Sequence, residues 1–249
     1  MQVGFIGAGN MARAMARGWG EPVLCSDGGS GRAAALAEEL GGRAASNVEV
    51  ASGADLVILC HKPAQFEDVA REIGSHATAV ASVLGGISTE ALSAAYAGRP
   101  VFRLMPNTPV EVRQGIVCYS PAAGVDAAIE MDVITLLERL GSVVTIPERL
   151  LSAATAVMGV GPAYQALLAE AQVDAAVRHG LKPALAGRLV AETMAGTAAL
   201  LAARDYDTLT VRREVTSPGG STARGLDALE RAGVRGAFQA AADSVCDPH

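Results

Sequence analysis

Val3-Gly4-Phe5-Ile6-Gly7-Ala8-Gly9-Asn10-Met11-Ala12 reads as a strand, a glycine turn and the start of a helix. Gly7 permits a tight turn, Gly9 lets the backbone approach a pyrophosphate, and Ala12 takes the third small position, where helix packs closely on strand. The helix N-terminus then offers free N–H groups and a partial positive charge. Gly7, Ala8, Gly9, Asn10 and Met11 are therefore the expected phosphate-binding residues. Such a turn also occurs for packing alone. Here it begins a repeated strand–helix series, which favours dinucleotide binding.

That series runs to about residue 147. Apolar runs at 3–6, 23–25, 56–60, 80–84, 101–105, 116–119 and 143–146 read as strands, and 11–18, 32–40, 67–73 and 127–140 as helices between them. Unbroken apolar strands separated by helices predict a parallel, doubly wound sheet covered on both faces. Gly41-Gly42 and Gly141 are expected helix stops. Past Pro147 no strand pattern remains, only alanine-rich helical segments. The expected class is α/β, with a Rossmann-type domain over 1–147 and an all-α domain over 148–249. Between Leu150 and Arg178 the only charges are Glu170, Asp174 and Arg178, four apart on one stripe, where Asp174 can pair with Arg178. The rest of that helix must be covered, and some 100 residues wrap it poorly alone, so a second subunit is expected.

Composition narrows the partners. Of 249 residues, 50% are hydrophobic and 18% charged, enough for a sizeable core. A net charge of -6 argues against a nucleic-acid or anionic-membrane partner. Glu170, Asp174, Gln165 and Pro162 interrupt the most membrane-like stretch, and no targeting segment precedes Val3, so a cytoplasmic protein is expected. Cys25, Cys60, Cys118 and Cys246 lie far apart with no metal-ligand spacing; they read as small hydrophobes, and no metal is expected. His61, beside Cys60, reads as strand-end packing for the same reason.

Which dinucleotide is bound stays open in the sequence. Asp27 lies 20 residues after Gly7 at the end of the second strand, where an acid bonds a ribose 2′-hydroxyl and favours NAD. Yet Gly28-Gly29-Ser30-Gly31-Arg32 offers a hydroxyl and a guanidinium that suit a 2′-phosphate.

Three further segments carry a resemblance. His61-Lys62-Pro63 follows the third apolar run, Arg103-Leu104-Met105-Pro106-Asn107-Thr108-Pro109 contains a Met-Pro-Asn element, and Val215-Thr216-Ser217-Pro218-Gly219-Gly220-Ser221-Thr222 forms a proline–glycine loop. With Gly161-Pro162-Ala163-Tyr164, and in this order along essentially the whole chain, they resemble the pyrroline-5-carboxylate reductase family. The resemblance implies NADP (alternatively NAD) on the Rossmann domain, with Asp27, Ser30, Lys62, Pro63 and Asn107 completing the cofactor residues. It implies a homodimer or higher homo-oligomer through the helical domain. A cyclic imine carboxylate would be held by Ser217, Gly219, Gly220, Ser221 and Thr222, with Thr222 on the imine nitrogen and Ser221 beside it as the catalytic pair. From the residues alone, Ser221 and Thr222 equally suit helix capping.

The implied reaction is hydride transfer to the imine, giving proline. It asks chiefly for positioning, and no general acid is evident. Arg103 suits either the substrate carboxylate or a structural acid. One departure stands out: where the family has an acid and two serines, this chain has Ser152, Met158 and Val160. Facing substrate, they favour a larger cyclic imine; facing a helix, they repack a core. A dinucleotide-sensing module without turnover is the non-enzymatic alternative.

Overall fold

The structure, a computed structural model, describes residues 1–121 and 124–246. It divides into two compact units, one over residues 1–160 and one from Gly161 onward. The first holds an eight-stranded sheet of β1 (Val3–Ile6), β2 (Leu24–Ser26), β3 (Arg43–Ala44), β4 (Leu56–Leu59), β5 (Val80–Ser82), β6 (Val101–Pro106), β7 (Gly115–Pro121) and β8 (Gly141–Thr145). Their order is β3-β2-β1-β4-β5-β6-β7-β8.

Alternate residues of β4 explain why such strands read as unbroken apolar runs. Leu56 and Ile58 enter one core with Phe5, Met15 and Trp19, whereas Val57 and Leu59 enter the other with Ile6, Val50 and Ile73. Both faces are buried, so no polar alternation is left. The helices of this unit are α1 (Asn10–Trp19), α2 (Arg32–Leu40), α3 (Asn47–Gly53), α4 (Phe66–Ile73), α5 (Thr89–Ala95) and α6 (Ala127–Glu138). Gly41 ends α2 in the left-handed region, as expected, but α6 stops at Glu138 and Gly141 opens β8 instead.

One expectation is corrected. The sheet is parallel except that β7 runs antiparallel to β6, with Met105 opposite Cys118. Only residues 107–114 join the two strands, too few for a crossover helix, so the chain must fold back. The helices α3 and α5 escape apolar periodicity because each has seven residues. Their signal is the cap: Ser46 Oγ accepts from Glu49 N–H at 3.3 Å, and Ser88 Oγ from Ala91 N–H at 3.1 Å.

After β8 the chain turns helical. The short α7 (Leu151–Ala154) runs into a π-helical turn, Thr155–Gly159, closed by Val160 N–H donating to the Thr155 carbonyl at 3.0 Å. Leu151 and Met158 pack on Cys118 of β7. The second unit comprises α8 (Gly161–Arg178), α9 (Pro183–Ala202), α10 (Thr208–Glu214), α11 (Ser221–Arg231) and α12 (Val234–Cys246), with no strand among its described residues. The Tyr164 ring meets Phe238 edge-on, centroids 6.4 Å apart. Among the described residues of this unit only Ala186 and Val211 are buried, while Leu167 is 64% exposed. Asp174 and Arg178 form no ion pair, contrary to the pairing their spacing allows. Two helical stretches, Glu148–Arg178 and Pro183–Ala202, are long and apolar enough to cross a membrane by length and composition.

Trp19 joins two layers of the first unit. Its ring lies on Phe5, and its Nε1–H donates to the Leu136 carbonyl at 2.9 Å, a carbonyl near the end of α6. Trp19→Phe is expected to destabilise the first unit by about 1–3 kcal/mol, chiefly by leaving that buried carbonyl unpaired. Urea unfolding checks this, and an unchanged midpoint would remove the indole N–H from the account.

Candidate functional site

The sheet order reverses direction at β1, whose neighbours are β2 and β4, so a crevice opens at the carboxyl ends of β1 and β4. Gly7 stands at its base. Its N–H donates to the Ser26 carbonyl at 3.0 Å, and its φ is 99°. A Cβ at Gly7 would lie 2.6 Å from the Cys60 carbonyl carbon and from His61 N. Only glycine fits. A Cβ at Gly9, by contrast, meets nothing within 4 Å. Gly9 caps α1 in extended conformation with no side-chain hydrogen bond, and the first turn holds no acid. Ala8 and Ala12 are buried beneath, leaving the Asn10 and Met11 amides at an open, electropositive helix start. This arrangement fits a pyrophosphate.

Asp27 follows β2, and its carboxylate accepts from Gly29 N–H at 2.8 Å, Ser30 Oγ at 2.8 Å and Ala33 N–H at 2.9 Å. On the other side of the turn, Lys62 and Pro63 are exposed, and Pro63 opens a short 3-10 turn. His61 Nδ1 lies 2.9 Å from the Lys62 carbonyl, so that nitrogen carries the proton and donates. Nε2 is buried with no partner among the described residues, and burial lowers the imidazole pKa.

Asn107 is committed at both ends of its amide. Oδ1 accepts from Ile116 N–H at 2.9 Å, and Nδ2 donates to the Met158 carbonyl at 3.1 Å. That carbonyl lacks the ordinary helical donor four residues on, because Pro162 has no N–H. Asn107 thus holds the Met-Pro-Asn segment in place. Arg103 is 4% exposed and donates through Nη1 to the carbonyls of Ser82 at 3.3 Å and Leu104 at 3.2 Å. Desolvation lowers its pKa, opposed by the charge of Glu148. Met158 is buried against Cys118 and Leu151, so of the two readings its sequence offered it takes the one that fills a core.

In the second unit, residues 217–220 form a turn. Gly220 N–H donates to the Ser217 carbonyl at 3.1 Å, and Gly219 sits at φ 68°, which suits glycine. Gly220 is the cap of α11 and offers no side chain, so the orphan N–H groups of the first helical turn are open. Ser221 and Thr222 lie inside the helix, and no hydrogen bond ties up their hydroxyls among the described residues. Capping is therefore not their task. Arg224, which the sequence does not single out, donates through Nη1 to the Gly219 carbonyl at 2.8 Å and braces the turn. Its one advance sign was a cation five residues past a glycine turn.

Two measurements follow from these contacts. Asn107→Ala strands two backbone groups and is expected to destabilise by about 1–3 kcal/mol for each, read by urea unfolding. His61 is neutral in the fold, so as pH falls below about 6.5 the unfolded chain binds a proton that the native site resists. Stability should drop there, and His61→Leu should shallow that slope; an identical slope in both proteins would contradict the buried imidazole.

Residues 148–248 match the family described as pyrroline-5-carboxylate reductase dimerisation, and residues 2–86 match that described as NADP oxidoreductase, coenzyme F420-dependent. The pyrroline-5-carboxylate reductase of Thermus thermophilus is 35% identical over 253 residues, covering 98% of this chain and 96% of its own. Among solved structures, the 1-pyrroline-5-carboxylate reductase of Streptococcus pyogenes superposes with a TM-score of 0.89 at 31% identity, covering 99% of this chain and 97% of that one. The Plasmodium falciparum pyrroline carboxylate reductase, solved with NADP bound, gives 0.87 at 27%, covering 99% and 95%. Over nearly its whole length, then, with a glycine turn at one end and an uncapped proline–glycine loop near the other, this chain belongs to the pyrroline-5-carboxylate reductase family.

Proposed function

We propose that this chain reduces pyrroline-5-carboxylate to L-proline in proline synthesis, using NADPH or NADH. One observation carries the reading. The helix starts behind the glycine turns at Gly9 and Gly220 carry no side-chain cap, one suited to a pyrophosphate and one to a carboxylate. The family's identity over the full length supplies the substrate and reaction class.

The bound dinucleotide supplies a hydride for the imine carbon. Gly7, Ala8, Gly9, Asn10 and Met11 bind its pyrophosphate, Asp27 and Ser30 meet the adenosine ribose, and the Lys62–Pro63 backbone lines the nicotinamide end. Asn107 acts there by holding its segment. Ser217, Gly219, Gly220 and Ser221 shape the loop whose helical N–H groups receive the substrate carboxylate. The Thr222 hydroxyl bonds the ring nitrogen, with Ser221 beside it. A protonated imine brings its proton from water, so the side chains orient it and need not titrate. The buried packing of Met158 supports the five-membered ring over a larger imine, and the unengaged hydroxyls of Ser221 and Thr222 argue against a mere sensor.

The second unit supports a homodimer. Two buried side chains cannot hold five helices, and Leu167, Leu185, Leu189 and Phe238 stay substantially exposed. A second copy covers them, which assigns the apolar surface of α8 and α9 to a partner helix rather than to lipid. We assign residues 1–147 to the dinucleotide domain and 148–249 to the substrate and dimerisation domain, with the segment up to Val160 riding on the sheet. Four free thiols suit the cytoplasm, and the net charge of -6 disfavours a nucleic-acid partner.

Oxidation of NADPH and of NADH, followed at 340 nm with pyrroline-5-carboxylate, tests the reading; absence of turnover with both overturns it. Thr222→Val is expected to lower kcat/KM about 10- to 100-fold, roughly 1.4–2.7 kcal/mol of transition-state binding. Unaltered kinetics would remove Thr222 from the chemistry.

A further inference from the structure

We propose that Asp27 makes this chain discriminate against a phosphate on the adenosine ribose, so that it binds NADH at least as tightly as NADPH. The inference rests on the dinucleotide reading above and goes further, to the choice between two forms of one cofactor. Family membership fixes the class of dinucleotide; the residue at the ribose sets the ratio.

Position comes first. Asp27 directly follows Ser26, whose carbonyl takes the Gly7 N–H at 3.0 Å, so its carboxylate stands at the edge of the phosphate turn, where a ribose lies. The donors a 2′-phosphate would need there are already taken. Gly29 N–H, the Ser30 hydroxyl and Ala33 N–H all point at Asp27, and Gly31, the cap of α2, has no side chain to relieve them. An internal anion thus fills the nest at the start of α2.

Charge points the same way. The hydrogen bond from Ala33 N–H, ahead of those from Ser30 and Gly29, holds the Asp27 carboxyl below the usual range, so it is ionised at neutral pH. Residues 27–32 contain one cation, Arg32, against that one anion. They cannot also neutralise a phosphate dianion. Nor does Asn47 help. It accepts from Ser26 Oγ at 2.6 Å and donates through Nδ2 to Glu72 at 2.7 Å, which brings a second carboxylate to this edge. A ribose hydroxyl meets the opposite situation. An ionised carboxylate only accepts, so it can take an O–H from the ribose but offers a phosphate nothing but like charge.

The test is direct binding to the full-length protein without substrate, read by fluorescence titration of NADH and NADPH in wild type, Asp27→Asn, Asp27→Ser and Arg32→Ala, each checked for folding by thermal melting. Wild type should bind NADH with a Kd equal to or below that for NADPH. Both Asp27 variants should move the ratio about 10- to 100-fold toward NADPH by removing a like charge. Arg32→Ala should weaken both cofactors alike or neither. A wild-type Kd lower for NADPH than for NADH, or a ratio unmoved in both folded Asp27 variants, overturns the proposal. So does a loss confined to NADPH in Arg32→Ala, which would assign the phosphate to that guanidinium. Failure of wild type to bind either cofactor overturns the dinucleotide reading itself.

Discussion

The turn after β1 lies against the carboxyl end of β4 so closely that no side chain fits between them. A single added carbon at Gly7 would fall 2.6 Å from the Cys60–His61 peptide. Because that turn cannot move outward, α1 starts where it does, its uncapped amides open to the crevice and Ala12 seated on the sheet. The same contact fixes the peptide from which Lys62 and Pro63 depart. The turn after β1 and the loop after β4 are thus two ends of one steric constraint.

Distance from that constraint is bridged by polar groups that brace backbone. Asn107 ties β7 to the carbonyl that Pro162 leaves unpaired, Arg224 ties α11 to the turn before it, and Asp27 ties its own loop to α2. Each is a short polar link between a loop and a regular element. Burial raises the free-energy cost of breaking the Asn107 pair.

The first unit was largely legible in the sequence because its strands are buried on both faces and read as continuous apolar runs. What escaped did so for local reasons. Periodicity cannot register helices of seven residues, and a two-residue strand such as Arg43–Ala44 carries no pattern. The reversal of β7 was visible only in the eight residues preceding it, too few for a crossover. At the sites, the glycine turns were readable because glycine is chosen by backbone geometry. The partner of Asn107 was not, since a hydrogen bond to a carbonyl 51 residues away leaves no spacing to find, and the local partners of Asp27 and Arg224 depend on side-chain direction within a loop, which spacing does not fix.

The carboxy-terminal helices have a thermodynamic consequence of their own. With Ala186 and Val211 the only buried side chains among their described residues, little apolar surface leaves water within one copy. In the homodimer proposed above, association supplies what an interior would supply elsewhere, and the unfolding equilibrium of this region becomes a bimolecular one. Its midpoint climbs with protein concentration, so dilution and heating act on it in the same direction.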